Sequence, residues 1–120
     1  MTNRAYTGIV TNVKLAILDA QNATQCIKGE SPDNLYKELS KATAYVLAGL
    51  SRIRCAESIF LCHDMDPLDS LALRNIITKY DVFAEEMLES HSSEHMPQAE
   101  IYFDSLLEST RGTIFEGVEL

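Results

Sequence analysis

The sequence is poor in residues that interrupt regular secondary structure. It has three prolines and five glycines in 120 residues. Tryptophan is absent as well. The prolines Pro32, Pro67 and Pro97 are widely spaced, and two of the glycines, Gly112 and Gly117, lie close to the C-terminus. Long uninterrupted segments remain between these breaks, which favours helices. One domain is expected, because the length is close to the commonest domain size.

The sequence also lacks segments that would direct it into or across a membrane. The N-terminal residues MTNRAYTG contain no basic stretch followed by an apolar one, so no secretory signal is expected. No window approaches the roughly 18 uncharged apolar residues that a membrane-spanning helix needs. Cys26, Cys55 and Cys62 are odd in number and lack C-x-x-C spacing. These features predict free thiols in a cytoplasmic protein that makes no membrane contact.

Positive charge is almost absent from the last third of the chain. Residues 1–80 carry nine lysines and arginines against eight acids, whereas residues 81–120 carry ten acids against Arg111 alone. The net charge is −8. No basic stripe is present to displace the counterions of phosphate groups, so direct nucleic-acid binding is not expected. The asymmetry instead favours a protein partner with a basic or apolar docking surface.

The rest of the sequence repeats apolar residues at three- and four-residue intervals, the spacing of one helical face. Four amphipathic helices are predicted, at about 3–27, 32–62, 67–90 and 97–112. Residues typical of helix ends separate them, and these are Gly29, Asp66 and Gly112. The expected fold class is therefore all-α, a single-domain antiparallel four-helix bundle.

We expect the bundle to span residues 1–112 and residues 113–120 to form a C-terminal tail. Ile114, Phe115 and Val118 make this tail more apolar than most chain ends, which favours a docked position. A second local expectation concerns Glu57, near the edge of the apolar stripe of the second helix. Arg54, three residues earlier, is its expected ion-pair partner.

The second predicted helix, residues 32–62, is unusually long and has two distinctive faces. Its apolar stripe repeats every 3.5 residues or so, which favours coiled-coil-like packing. Roughly opposite lies a row of small residues: Ala44, Ala48, Ser51, Cys55, Ser58 and Cys62. This row could lie under a neighbouring helix of the same chain. We favour a homodimer seam, because part of so long a helix would overhang its neighbours and need covering.

The segment HSSEH, residues 91–95, resembles the inverted zincin signature H-x-x-E-H, in which two histidines hold zinc and the glutamate activates water. That chemistry needs both histidines on one face of a continuous helix and a third ligand from elsewhere. Here the two serines are weak helix formers, and Pro97 disfavours a helical conformation of the residue before it. We therefore expect no catalytic residue, no cofactor and no metal. A small metal-binding bundle that uses His91 and His95 is the weakest alternative.

Two rows of acids at four-residue steps lie on the outer faces of the third and fourth predicted helices. They are Asp81, Glu85 and Glu89, followed by Glu100, Asp104 and Glu108. Each like-charge step costs roughly a few tenths of a kcal/mol, and no lysine interleaves to relieve it. The rows could form a solubilising face. They could also steer a basic protein partner, or imitate the phosphates of DNA towards a nucleic-acid-binding protein.

The function we expect is that of a non-catalytic helical protein that binds and inhibits or modulates a regulatory protein. The apolar surface of the second helix would supply affinity, and the acidic rows would supply rate and selectivity. In shape and charge the chain is similar to quorum-sensing antiactivators, bacteriocin immunity proteins and secretion chaperones. An acidic DNA mimic is the alternative function.

Overall fold

The computed structural model describes residues 3–27, 32–89 and 96–117, with side chains over residues 3–26, 38–89 and 98–117. Four helices account for most of this part of the chain, and no strand occurs in it. They are α1 (Asn3–Ile27), α2 (Pro32–Leu61), α3 (Pro67–Glu89) and α4 (Met96–Thr110). The all-α prediction is confirmed, and the helices begin and end close to where the sequence places them.

The helix ends follow from local residue chemistry. The carboxylate of Asp66 accepts a hydrogen bond of 3.0 Å from the backbone N–H of Leu68, in the first turn of α3. Pro67, at the first position, has no N–H that would need a partner there. At the end of α4, Gly112 adopts a φ of 71°, a left-handed conformation that glycine reaches without steric cost. Both caps agree with the sequence analysis.

The helices contact one another in cyclic order, α1 with α2, α2 with α3, α3 with α4 and α4 with α1. Gly8, near the start of α1, lies against Ile59, near the end of α2, because a Cβ atom at Gly8 would lie 3.2 Å from the end of the Ile59 side chain. Asp19, further along α1, pairs with Arg52, earlier in α2, at 2.9 Å. These contacts indicate that α1 and α2 run in opposite directions. The molecule is one elongated globule of 49 × 24 × 21 Å.

One hydrophobic core runs along the bundle and receives side chains from all four helices. Its largest fully buried side chains are Tyr80, Phe83, Phe115, Ile9, Ile17, Ile53, Leu73, Ile76, Leu106, Val13 and Val46. Phe115 comes from the turns after α4 and is the buried residue of the segment 113–117, and the boundary expected after residue 112 stays a prediction. The docking expected for this segment is seen at Phe115. Val118 lies outside the described residues.

The contact of Tyr80 on α3 with α2 depends on a glycine. A Cβ atom at Gly49 would lie 1.7 Å from the hydroxyl oxygen of Tyr80 and 3.3 Å from the carbonyl oxygen of Ala16. The buried Tyr80 hydroxyl donates a hydrogen bond of 3.4 Å to the carbonyl of Val46. Burial raises the pKa of the Tyr80 phenol, and the nearby charge of Asp19 raises it further. Tyr80 therefore stays neutral inside the bundle.

None of the helices in the described part of the chain combines the length and the apolar character needed to cross a bilayer.

Candidate protein-interaction surfaces

The first candidate surface is the outer face of α2, and it contains the small row. All six of its residues are exposed, namely Ala44, Ala48, Ser51, Cys55, Ser58 and Cys62. The opposite face of α2 is buried and contributes Ala42, Val46, Ile53 and Ala56 to the core. The interpretation that the small row lies under a neighbouring helix of the same chain is therefore wrong. The row is free to contact another molecule.

Large apolar side chains border this row, and acids are missing from it. Leu47 is 52% exposed and Leu61 is 75% exposed, on the same helix. The charged residues among the exposed positions of α2 from Ser40 to Leu61 are Lys41 and Arg54, both basic. The exposed positions of α2 in this range therefore form a strip without an acid. We call this strip, the small row together with Leu47, the α2 face.

An arginine at the edge of α2 holds α3 in place. Arg54 donates a hydrogen bond of 3.0 Å to Glu57, which confirms the pair expected from the sequence. It also donates to the carboxylate of Asp81 on α3, a contact that the sequence analysis missed. The hydrogen bond to Asp81 raises the pKa of Arg54, against the opposing effect of partial burial. Asp81 is therefore engaged within the chain, although the sequence placed it in an acidic docking row.

The two acidic rows border different sides of the bundle. The α3 row begins beside α2 at Asp81 and continues to Glu85 and Glu89, which are both exposed. The α4 row lies towards α1 instead. Glu100 and Asp104 line a polar cleft of about 270 Å³ whose other lining residues are Gln21, Thr24, Gln25 and Phe103. The structure thus does not join the rows into one continuous acidic face.

Glu108, the last member of the α4 row, is exposed, and its Oε2 atom lies 3.4 Å from Nε of Arg111.

The last two acids of the α3 row, Glu85 and Glu89, have no such partner within the part of the chain that the structure describes. They form no ion pair there, whereas Arg54 of α2 pairs with Asp81 and Glu57. The charges of these two carboxylates are thus not balanced by an ion pair there.

A further surface lies on the outside of α3 and was not found from the sequence. Leu68 is 78% exposed and Leu71 is 66% exposed. They open onto a groove of about 590 Å³ between α3 and the end of α4. The other residues that line this groove are Ala72, Arg74, Asn75, Thr78, Ser109 and Thr113. The sequence does contain a signal for this surface, a second set of α3 residues spaced three and four apart. It was overlooked because the residues in the middle of that set are polar.

Within the described ranges, no group of three or more histidine, cysteine, aspartate or glutamate side chains is placed to hold a metal ion. His91, Glu94 and His95 lie outside those ranges. None of the three cysteines, all within the described ranges, forms a disulfide: Cys55 is exposed on α2, Cys62 is exposed in the turn just after it, and Cys26 is half-buried on α1.

Comparisons with known proteins add no family. No protein-family model matches the sequence, and no significant match was found among curated proteins or solved structures. The surfaces described above are thus the basis for a functional proposal.

Proposed function

We propose that this chain is a non-catalytic helical interaction protein that binds and inhibits or modulates another regulatory protein, in the manner of an antiactivator. The observation that carries the proposal is the exposed, acid-free α2 face with Leu47 at its edge. Soluble monomers rarely leave a contiguous apolar strip uncovered, and such strips commonly mark interaction sites. The free thiols on this face suit a reducing cytoplasm.

We further propose that a second copy of the chain docks on the α2 face to give a homodimer. Small residues such as Ala44, Ala48 and Ser51 allow two helices to approach to about 8 Å, at the short end of helix packing distances. Two copies that each carry −8 would repel most strongly where the acids of residues 81–120 lie. The acid-free strip is where that repulsion is smallest, so it favours self-association.

The unequal helix lengths support the same proposal. With 30 residues, α2 would be about 45 Å long, whereas its neighbours α1 and α3, with 25 and 23 residues, would be about 38 and 35 Å long. The shorter helices cannot cover the longer one from end to end. A second copy lying along α2 would cover the part that the chain's own helices leave open.

The regulatory partner would be recognised by charge and by apolar contact together. Exposed acids such as Glu85, Glu89 and Asp104 surround the bundle outside the α2 face. They would raise the rate at which a basic partner meets this protein, an effect that salt reduces. Apolar burial would then hold the complex.

The dimer is tested by sedimentation equilibrium of the wild-type protein, Ala48→Glu and a control, Gln98→Glu. The control adds the same charge at an exposed position on α4. We expect the wild type and the control to have twice the chain mass of 13.4 kDa and Ala48→Glu to have the single mass. A wild type that stays at the single mass at high concentration would contradict the dimer.

Partner binding is tested with the same three proteins, each tagged and used to capture protein from its own cell lysate at low and moderate salt. We expect one abundant partner that salt weakens. The partner is then purified and titrated against the wild type, with activity of the partner as the readout for inhibition. Failure to capture any protein at either salt, or a captured protein whose activity does not change on titration, would contradict the regulatory function.

A further inference from the structure

We propose that the outer stripe of α3 and the adjoining groove bind an amphipathic helix of the protein partner, with apolar residues at one end of that helix and basic residues at the other. This inference rests on the proposed function and names the surface and the chemistry of the partner. We call the surface the α3 stripe, and it consists of Leu68, Leu71, Asn75, Thr78, Val82, Glu85 and Glu89.

The spacing of the α3 stripe is that of a coiled-coil seam. Its seven positions alternate steps of three and four residues along the whole helix, and all seven are exposed. The residues that α3 buries in its own bundle have the same alternation, from Leu73 to Met87. Helix α3 therefore carries two seams, of which the chain itself covers one. The second has the register that another helix requires.

The first half of the α3 stripe offers apolar contact. Leu68 and Leu71 are more than half exposed, and the groove of about 590 Å³ beside them continues to Ser109 and Thr113. A groove next to two leucines can receive apolar side chains that project from a docked helix at three- and four-residue intervals. Asn75 follows in the seam, and a single polar residue at such a position selects one register over others.

The second half of the α3 stripe is negatively charged and lacks a local counter-charge. Glu85 and Glu89 are exposed one turn apart and form no ion pair in the described part of the chain. The first acid of the row, Asp81, is paired with Arg54 of α2. Lysines or arginines on the docked helix would remove this like-charge repulsion. The order along α3, apolar first and acidic second, dictates the order of residues in the partner helix.

A second copy of this chain does not fit the α3 stripe. In a parallel pair, Glu85 and Glu89 would face the same acids of the other copy. In an antiparallel pair they would face Leu68 and Leu71, where the carboxylates would lose water without gaining a cation. The charge layout therefore favours a different, basic helix here and leaves self-association to the α2 face, which has no exposed acid.

The test uses a helix-stapled, fluorescein-labelled peptide of about three heptads, with leucine at the seam positions of two heptads and lysine in the third. It is synthesised with the leucines first and with the lysines first, because the docked helix can lie in either direction. Anisotropy titration of the full-length protein measures its affinity. A matched peptide carries glutamate in place of the lysines.

Two variants and one control are titrated. Leu71→Glu removes the apolar contact, and Glu85→Lys/Glu89→Lys reverses the acidic half. The control, Asp104→Lys/Glu108→Lys, makes the same charge change on α4. We expect both stripe variants to weaken binding of the lysine peptide by about tenfold or more and the control to change it less than about threefold. The glutamate peptide should bind Glu85→Lys/Glu89→Lys more tightly than it binds the wild type.

Two results would overturn the proposal. One is that neither order of the lysine peptide binds the wild type. The other is that the α3 and α4 reversals weaken binding equally, which would mean attraction to net charge without a site. Capture of the natural partner by the same variants separates this inference from the proposed function. If Leu71→Glu and Glu85→Lys/Glu89→Lys still capture and inhibit that partner, the function stands and the α3 stripe is excluded as its site.

Discussion

The hydroxyl oxygen of Tyr80 on α3 occupies the space in which a side chain at Gly49 on α2 would begin. A Cβ atom there would lie 1.7 Å from that oxygen and 2.7 Å from the ring carbon that bears it. The glycine lets the ring pass under α2 and reach the carbonyl of Val46. This contact is one of those that seat α3 against α2, and it leaves no room for a side chain at position 49.

Gly49→Ala is expected to lower the free energy of unfolding by on the order of 1–3 kcal/mol, because the added methyl group overlaps Tyr80. In a helix without such a contact the same change would stabilise by about 1 kcal/mol. The control is Gly8→Ala, whose Cβ would lie 3.2 Å from the end of the Ile59 side chain. Urea unfolding of both variants measures whether each substitution lowers or raises the free energy of unfolding. Equal effects at the two glycines would contradict the role of Tyr80.

The buried phenol of Tyr80 predicts a loss of stability at alkaline pH. Burial raises its pKa in the folded protein above the ordinary value of 10.0. Above pH 10 the unfolded state releases this proton and the folded state keeps it, so the unfolded state binds fewer protons and stability falls with pH. The slope from this group is at most about 1.4 kcal/mol per pH unit.

Urea unfolding between pH 8 and about pH 11 measures that slope, with Tyr80→Phe as the comparison. The variant cannot release the proton, so its stability should depend less on pH over this range. It should also be less stable at neutral pH by about 1 kcal/mol, because the Val46 carbonyl loses a donor. Parallel pH profiles for the two proteins would show that Tyr80 is not responsible.

Charge reversal should have unequal effects within the α3 acidic row. Asp81→Lys places a cation against Arg54 and breaks the link between α2 and α3, whereas Glu85→Lys relieves repulsion between acids. We expect Asp81→Lys to be less stable than Glu85→Lys by about 1 kcal/mol, the upper range for partly exposed pairs. Thermal unfolding at low and high salt measures the stability difference between the two variants. The difference should shrink with salt, and a salt-independent difference would indicate another cause.

Phe115 is expected to contribute to stability as a core residue although it follows the last helix. Its side chain is fully buried, so Phe115→Ala should cost about 3–5 kcal/mol through lost burial and the cavity left behind. Ile114→Ala is the matched control, since Ile114 is 39% exposed and should cost much less. Chemical unfolding of the pair checks this. Similar small losses at both positions would mean that residues 113–117 detach readily from the bundle.

Residue patterns alone located the helices because the signals involved are local. Asp66 caps α3 through its own neighbours, and Gly112 adopts its left-handed φ next to the end of α4. Apolar spacing identified the buried face of α3, since Leu73, Ile76, Tyr80 and Phe83 are all in the core. The ion pair between Arg54 and Glu57 could also be predicted from the sequence, because residues three apart on a helix are neighbours.

The candidate surfaces could be predicted only in part, because exposure depends on which helices lie next to each other. The small row of α2 has the same spacing whether a neighbouring helix covers it or not, and only the tertiary structure shows that Ala48 and Cys55 are exposed. The pairing of Arg54 with Asp81 joins residues 27 positions apart in the sequence. Periodicity contains no information about such a contact.

The sequence by itself determined the number of helices, their ends and the acidic character of the last third. Those properties follow from spacing, capping and composition, which act within a few residues. The tertiary structure decided which of the two seams of α3 is buried. Both seams alternate steps of three and four, and the larger side chains of one, with Tyr80 seated against Gly49, fill the space between α2 and α3. Leu68 and Leu71 remain outside because that space is already occupied.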